Sequence, residues 1–138
     1  MAQVGFLPAK DRRFTGTVAA IEENLCRDGF VNRYTMTRSS QGLDGLPPGE
    51  GTFLPCTFWL ADAYLLAGRR EDGREVFERL LGLRSDLGLL SEEYDVEDGR
   101  LVGNYPQALS HLALVNTACE LSTGRGPGHH RAGGDPAR

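Results

Sequence analysis

The sequence has few cysteines, and their number and spacing exclude several kinds of site. Cys26, Cys56 and Cys119 are the three cysteines, and they stand at none of the paired spacings that zinc sites use. Because their number is odd, a closed disulfide framework is not expected, and we predict buried thiols in a cytoplasmic protein. We therefore predict no metal site and no cofactor.

Long apolar runs and an excess of positive charge are also lacking. No apolar stretch approaches the ~20 residues that a membrane span needs, so no membrane partner is expected. The formal net charge is −4 and no basic stripe stands out, so we expect no nucleic-acid partner. The first eight residues lack the basic region and apolar stretch of a secretory signal, which also favours the cytoplasm. With 138 residues, of which 40% are hydrophobic and 25% charged, the chain has the composition of one soluble domain.

Four segments have the apolar periodicity or content of helices, at residues 11–27, 52–66, 71–83 and 106–121. The segment 52–66 is apolar nearly all round, which is typical of a helix buried on most sides. Trp59 could act as an aromatic stacking platform, but it stands at helical spacing among Phe58, Leu60 and Ala63, so a place in the core is predicted. This segment and the next are expected to form an antiparallel helical hairpin. Pro106 suits the first turn of the last helix, and Asn104 is predicted to cap it.

The remaining segments are predicted to be loops and strands. Residues 29–36 are rich in aromatic and β-branched side chains, which indicates an extended segment. Residues 39–51 contain five glycines and prolines and are predicted to form a loop. Residues 89–95 and 100–103 flank an Asp98-Gly99 turn and predict a short hairpin. Residues 122–138 cannot build a core and are predicted to be a disordered tail, in which His129 and His130 are assigned no metal.

One predicted hairpin strand contains the densest group of acids that also lies beside apolar and aromatic residues. It reads Ser91-Glu92-Glu93-Tyr94-Asp95. In an extended segment Glu92 and Glu93 point to opposite sides, so the two cannot act as a pair on one substrate. From composition alone, an acidic loop that is merely solvated is the more frequent outcome.

Three segments in the same order resemble glycoside hydrolase family 15, which includes glucoamylases, glucodextranases and some bacterial trehalases. Residues 88–95, Gly-Leu-Leu-Ser-Glu-Glu-Tyr-Asp, resemble the family's Ser-Glu-(Gln/Glu)-(Tyr/Phe)-Asp motif, and residues 53–63 and 104–111 resemble its last barrel helices. The resemblance, which covers about residues 4–121, implies an all-α fold. Residues 1–121 would be the C-terminal part of an (α/α)6 barrel, with about four helices and a short β-hairpin in the catalytic loop.

The resemblance implies that Glu92 is the general base in the inverting hydrolysis of α-glucosidic bonds. The general acid lies upstream in family members, in a part not matched by this chain. An inverting hydrolase needs two carboxyl groups about 6.5–9.5 Å apart, so the isolated chain is expected to be inactive. The expected partners are α-linked glucosides or glucans and the missing upstream part of the barrel. Trehalose, maltose-type ends and dextran-type linkages are not separated. Residues 4–8 resemble the middle of a family chain, so either the gene is truncated or Met1 is an internal start.

Other residues fall where the family contributes sugar-binding loops. By resemblance, Arg33, Tyr34 and Glu50 are expected to bind substrate, since charged side chains hydrogen-bond sugar hydroxyls. For Arg33 and Glu50, a surface charge on a loop remains the alternative. His111 lies one helical turn after Gln107, and a structural hydrogen bond is favoured over a helper role in catalysis.

An alternative function belongs to another class of protein. The chain would then be a small helical interaction module whose apolar hairpin, residues 52–83, binds a partner protein. Such a module has no reason to keep the motif at Glu92 together with the two other family-like segments.

Overall fold

The computed structural model describes residues 2–35 and 51–124, and this part contains four α-helices and five short strands. The helices are α1 (Arg12–Asn24), α2 (Leu54–Leu66), α3 (Arg70–Leu81) and α4 (Ala108–Thr123). The strands are β1 (Cys26–Arg27), β2 (Phe30–Val31), β3 (Thr52–Phe53), β4 (Glu93–Asp95) and β5 (Arg100–Val102). The prediction of about four helices with a short hairpin is confirmed.

Helix α2 is the centre of the fold, with α3 and α4 both packed against it. Its residues Leu54, Phe58 and Ala61 have no exposed surface, which matches its apolar sequence. The predicted hairpin of α2 and α3 is confirmed, and Gly73 permits its close packing. A Cβ at Gly73 would lie 2.8 Å from a methyl group of Leu65, so a larger residue would push the two helices apart.

Helix α1 lies beside this hairpin and buries Phe14 and Val18. It is followed by the β1–β2 hairpin, in which Arg27 pairs with Phe30. The two turn residues, Asp28 and Gly29, have φ of 52° and 82°. Positive φ at both central positions is the geometry of the tight turns that fit the twist of a hairpin.

The predicted hairpin at residues 89–103 is present as β4 and β5, and β3 extends it to a three-stranded antiparallel sheet in the order β3-β4-β5. Phe53 pairs with Glu93, and Glu93 pairs with Val102. Residues 52 and 53 were expected to begin a helix, and this detail is wrong. They continue directly into the apolar sequence of α2, so no local signal separates the strand from the helix.

Three predictions about single side chains are wrong. Trp59 is 43% exposed rather than in the core. Since α2 is apolar on all sides, its sequence does not indicate which side faces outward. Cys119 is also exposed, whereas Cys26 and Cys56 are partly buried, and all three are free thiols. Asn104 does not cap α4, because Gln107 is the N-cap and accepts a hydrogen bond from the backbone of Leu109.

Helix α4 begins and ends later than predicted, and Pro106 precedes its N-cap, Gln107, rather than lying in its first turn. It runs to Thr123, and Gly124 closes it in the left-handed conformation with φ of 62°. The helical part therefore extends two residues beyond the predicted boundary at 121 into the predicted tail. The rest of that tail, residues 125–138, and nearly all of the predicted loop at residues 39–51 lie outside the described residues.

Candidate active site

The segment of residues 90–93 lies between the start of α4 and the start of α2, and main-chain hydrogen bonds hold it from both sides. Leu90 accepts a bond from the Gln107 N–H at 2.9 Å, on the side of α4. On the other side, the carbonyl of Glu92 accepts a bond from the Leu54 N–H at 3.0 Å. The position of Glu92 is thus set by two elements that are distant in sequence.

Two side chains of α4 and one side chain of the segment itself add three further constraints. The Nε2 atom of His111 accepts a hydrogen bond from the Leu90 N–H at 3.2 Å, so this histidine has the structural role that was predicted for it. The Ser110 hydroxyl donates to the Ser91 carbonyl at 2.6 Å, and the Ser91 hydroxyl donates to the Glu93 carbonyl at 2.5 Å. The bond from Ser110 to Ser91 is fully buried and so is shielded from competing water, and the other two bonds are partly buried.

Glu92 is half-buried, and among the described residues its carboxylate is bound through one oxygen, by exposed hydrogen bonds. Its Oε2 accepts hydrogen bonds from the side-chain nitrogen of Asn104 at 2.9 Å and from the Asn104 N–H at 3.3 Å. Gly103 makes this approach possible, since a Cβ there would lie 3.1 Å from the Cβ of Glu92 and 3.3 Å from Oε2. Gly103 also has φ of 75°, which favours glycine.

Glu93 is bound on the side of β3, by a group that does not contact the Glu92 carboxylate. Its Oε2 accepts a hydrogen bond from the Gly51 N–H at 3.0 Å, on the side of β3. The Thr52 hydroxyl donates to the Tyr94 carbonyl at 3.0 Å and strengthens the same junction. The carboxylate of Glu92, by contrast, binds residue 104, which follows β5. This arrangement agrees with the alternation expected of an extended segment.

Arg33 and Tyr34 lie at the same end of the molecule as the acidic segment. The guanidinium carbon of Arg33 is 5.3 Å from the ring centroid of Tyr34 and 5.5 Å from that of Phe53. Since Phe53 pairs with Glu93 in the sheet, these contacts bring Arg33 beside the strand next to β4. Glu50, the third residue expected to bind sugar, lies outside the described residues.

Sequence reasoning missed Asn104 and Gly103 as neighbours of Glu92. Asn104 was assigned to the helix cap by a rule that considers only local sequence. The hairpin itself carried the missing signal, because the pairing of Glu93 with Val102 brings residues 92 and 103–104 together at the open end of the two strands. Register, rather than residue type, identifies this contact.

The described residues also limit other kinds of site. Within residues 2–35 and 51–124, no three His, Cys, Asp or Glu side chains cluster closely enough to hold a metal ion. In the same residues, none of the helices has the length and apolarity to cross a membrane.

Comparison with known proteins identifies the class to which this carboxylate-bearing helical fold belongs. The chain is 44% identical over 119 residues to the trehalase of Thermoplasma volcanium, covering 86% of the chain and 18% of that enzyme. It is 45% identical over 116 residues to the trehalase of Mycolicibacterium smegmatis, covering 84% of the chain and 17% of that enzyme. Trehalase 1 of Sulfolobus acidocaldarius is 36% identical over 110 residues, covering 80% of the chain and 18% of that enzyme. These similarities place the chain among glycoside hydrolases.

The family follows from a second comparison. The sequence profile of glycosyl hydrolases family 15 matches residues 1–119. The chain belongs to this family, as the three motifs predicted, and it spans less than a fifth of the length of the curated relatives described above. No solved structure matches the chain significantly.

Proposed function

We propose that this chain supplies the general base, Glu92, of an inverting α-glucosidase of the trehalase type. The observation that carries the proposal is the position of the half-buried Glu92 in the family motif, with its carboxylate held by Asn104 through Oε2. In the proposed reaction, Glu92 takes a proton from water as the water oxygen bonds to the anomeric carbon. A second carboxylic acid protonates the leaving oxygen as the glycosidic bond breaks, so atoms and charges balance.

The proposed substrate is an α-linked glucoside, and the names of the relatives favour trehalose. Arg33, Tyr34 and Glu50 are proposed to bind the sugar. The position of Arg33 over the ring of Phe53, beside the strand that pairs with β4, supports this role for Arg33. A guanidinium group supplies several donors in a fixed geometry for sugar hydroxyls. The proposed location is the cytoplasm.

The proposed macromolecular partner is the remaining part of a family 15 catalytic domain, arranged as an (α/α)6 barrel with this chain. Helix α4 supports this partner, because Leu109, Leu112 and Val115 recur every three residues on it and are 40–62% exposed. An apolar stripe of this kind is typical of a surface that binds another chain or segment. The second carboxyl group would come from that partner, so the 138-residue chain alone is expected to be inactive.

The alternative of an interaction module has less support. It required the apolar hairpin of residues 52–83 to be available to a partner protein. Its side chains Leu54, Phe58 and Leu80 are fully buried within this chain, although Trp59 is 43% exposed. The hairpin therefore forms the core of the fold.

The proposed function is tested in a chimera. The segment of M. smegmatis trehalase that matches this chain over 116 residues is replaced by the sequence of this chain, and glucose release from trehalose is measured. Glu92→Gln is expected to lower kcat by about 10² to 10⁴-fold with little change in KM, because the amide keeps the shape of the side chain but cannot accept the proton.

Glu93→Gln is the matched control and is expected to cost far less, since its carboxylate binds the Gly51 N–H instead. The 138-residue chain alone is expected to release no glucose above background. Full activity of Glu92→Gln in the chimera would overturn the proposal, as would trehalose hydrolysis by the isolated chain.

A further inference from the structure

Asn104 makes three hydrogen bonds with Glu92, and together they join the two residues at both main chain and side chain. The Glu92 N–H donates to the Asn104 carbonyl at 2.9 Å. The Asn104 N–H and its side-chain nitrogen both donate to Oε2, at 3.3 and 2.9 Å. The Asn104 side chain does not cap α4, because Gln107 is the N-cap of that helix.

These bonds make the two oxygens of the Glu92 carboxylate inequivalent. A carboxylate oxygen has two lone-pair positions, and Oε2 already accepts two hydrogen bonds. Within residues 2–35 and 51–124, no donor is bonded to Oε1. Gly103 fixes this difference, since its missing side chain lets the backbone lie against the Cβ and Oε2 of Glu92.

We propose that Asn104 is a positioning residue that binds Oε2 of Glu92 and thereby assigns proton abstraction to Oε1. This inference rests on the proposed role of Glu92 as the base. As the water oxygen bonds to the anomeric carbon, one water O–H bond breaks and its proton goes to Oε1. The amide of Asn104 takes no proton in this step. It stabilises the ionised carboxylate in one orientation, and fixed orientation is what general-base catalysis requires.

The first part of the test measures the contact in the 138-residue chain and needs no activity. Nitrogen-15 NMR spectra of the labelled chain are recorded across the pH range in which carboxylates titrate. The side-chain and backbone amide signals of Asn104 are expected to shift with pH in the native sequence and in Glu93→Gln, and to lose most of this shift in Glu92→Gln. Asn104 signals that respond equally to pH in all three proteins would overturn the proposal.

The second part measures catalysis in the trehalase chimera. Asn104→Ala is expected to lower kcat by about tenfold to a hundredfold, the size of effect that misplaced catalytic groups produce, while KM changes by less than about twofold. Asn104→Asp has nearly the same shape but would place a second carboxylate against Oε2. It is expected to be at least as impaired as Asn104→Ala, whereas a space-filling role would make it the milder change.

Asn24→Ala is the matched control, because Asn24 is an exposed asparagine at the end of α1 whose side chain donates to the Ala20 carbonyl of the same helix. It is expected to keep the kcat of the chimera. If Glu92→Gln is inactive while both Asn104 variants keep full kcat, the positioning role is wrong and the proposed function stands. If Glu92→Gln retains full activity, the proposed function fails and the positioning role fails with it.

Discussion

The two ends of helix α2 differ in how completely the described residues satisfy the polar groups beside them. At its start, the acidic segment has main-chain and side-chain partners from α4, β3 and the residues after β5, including His111, Ser110 and Asn104. Toward its other end, Asp62 has a buried Oδ1 that accepts no hydrogen bond from the described residues. Its Oδ2 accepts a bond from the Gln3 amide at 3.3 Å.

This difference indicates where the polar groups find their hydrogen-bond partners among the described residues and where they do not. The segment that carries the proposed base is held by groups within this chain. The region of Asp62 lies between α2 and α4, and the outer surface of α4 exposes an apolar stripe. The Glu92 segment is thus held by bonds from α2 and α4, whereas the proposed partner would cover the outer surface of α4.

The largest expected effect on stability comes from shortening Leu90, the buried apolar side chain at the start of the acidic segment. Leu90 is fully buried, so Leu90→Ala is expected to lower the free energy of unfolding by about 2–5 kcal/mol. Leu87, three residues earlier, is 77% exposed, and Leu87→Ala is expected to change it by less than about 0.5 kcal/mol. Urea unfolding of the two variants measures the difference. Equal small losses would show that the segment is not anchored in the core.

The second effect concerns Asp62, whose buried Oδ1 accepts no hydrogen bond from the described residues. Burial raises the pKa of the Asp62 carboxyl to about 6, and the Glu120 carboxylate adds to this while the Thr117 hydroxyl opposes it. The folded state therefore binds a proton more tightly than the unfolded state, in which the pKa is about 4. The contribution of Asp62 to stability is fully present below about pH 4 and is lost as the pH rises to about 6.

Asp62→Asn tests this prediction, because an amide has no charge to bury. At pH 7 the variant is expected to be more stable than the native sequence by up to about 3 kcal/mol, and below pH 4 the two should differ little. Unfolding measured at several pH values gives the result. A variant that is less stable at pH 7 would show that the ionised Asp62 has a stabilising partner.

The third effect separates backbone conformation from contact with Glu92. Gly103 and Gly88 have similar φ, 75° and 77°, but a Cβ would contact Glu92 only at Gly103, and no heavy atom lies within 4 Å at Gly88. Gly88→Ala is expected to cost about 1–2 kcal/mol for the left-handed conformation alone. Gly103→Ala should cost more, and should also lower the kcat of the chimera. Equal costs would mean that the Glu92 side chain moves aside freely.

Sequence patterns predicted the helices well because their signals are long and periodic. The α2–α3 hairpin followed from two apolar helical segments with a short connection. The β4–β5 hairpin followed from two extended segments that flank an Asp-Gly turn. The family motif singled out Glu92 as the proposed base, which stays a prediction, and strand alternation predicted that its carboxylate and that of Glu93 have different partners. These features depend on residues that are close in sequence.

The errors arose where the structure depends on residues that are distant in sequence. Trp59 was assigned to the core because α2 is apolar all round, and only packing decides which of its sides faces outward. Asn104 was assigned to a cap because the cap rule is local, while its contact with Glu92 depends on the register of β4 and β5. Strand β3 was hidden for the same reason, since its pairing with β4 joins residues about forty positions apart.

The smallest effect on stability is expected at the exposed stripe of α4. This stripe gives the sharpest test of the difference between the Glu92 segment and the outer surface of α4. Leu112 is 62% exposed, so Leu112→Ser should change the free energy of unfolding of this chain by less than about 0.5 kcal/mol. The same change should reduce self-association and the binding of a hydrophobic dye, because it interrupts the stripe at its middle. Ala113→Ser, one residue along and buried, is the control and should cost stability without reducing dye binding. A stability loss above about 1 kcal/mol for Leu112→Ser would show that the stripe already packs within this chain. The outer surface of α4 would then be held by groups within this chain, as the segment that carries Glu92 is.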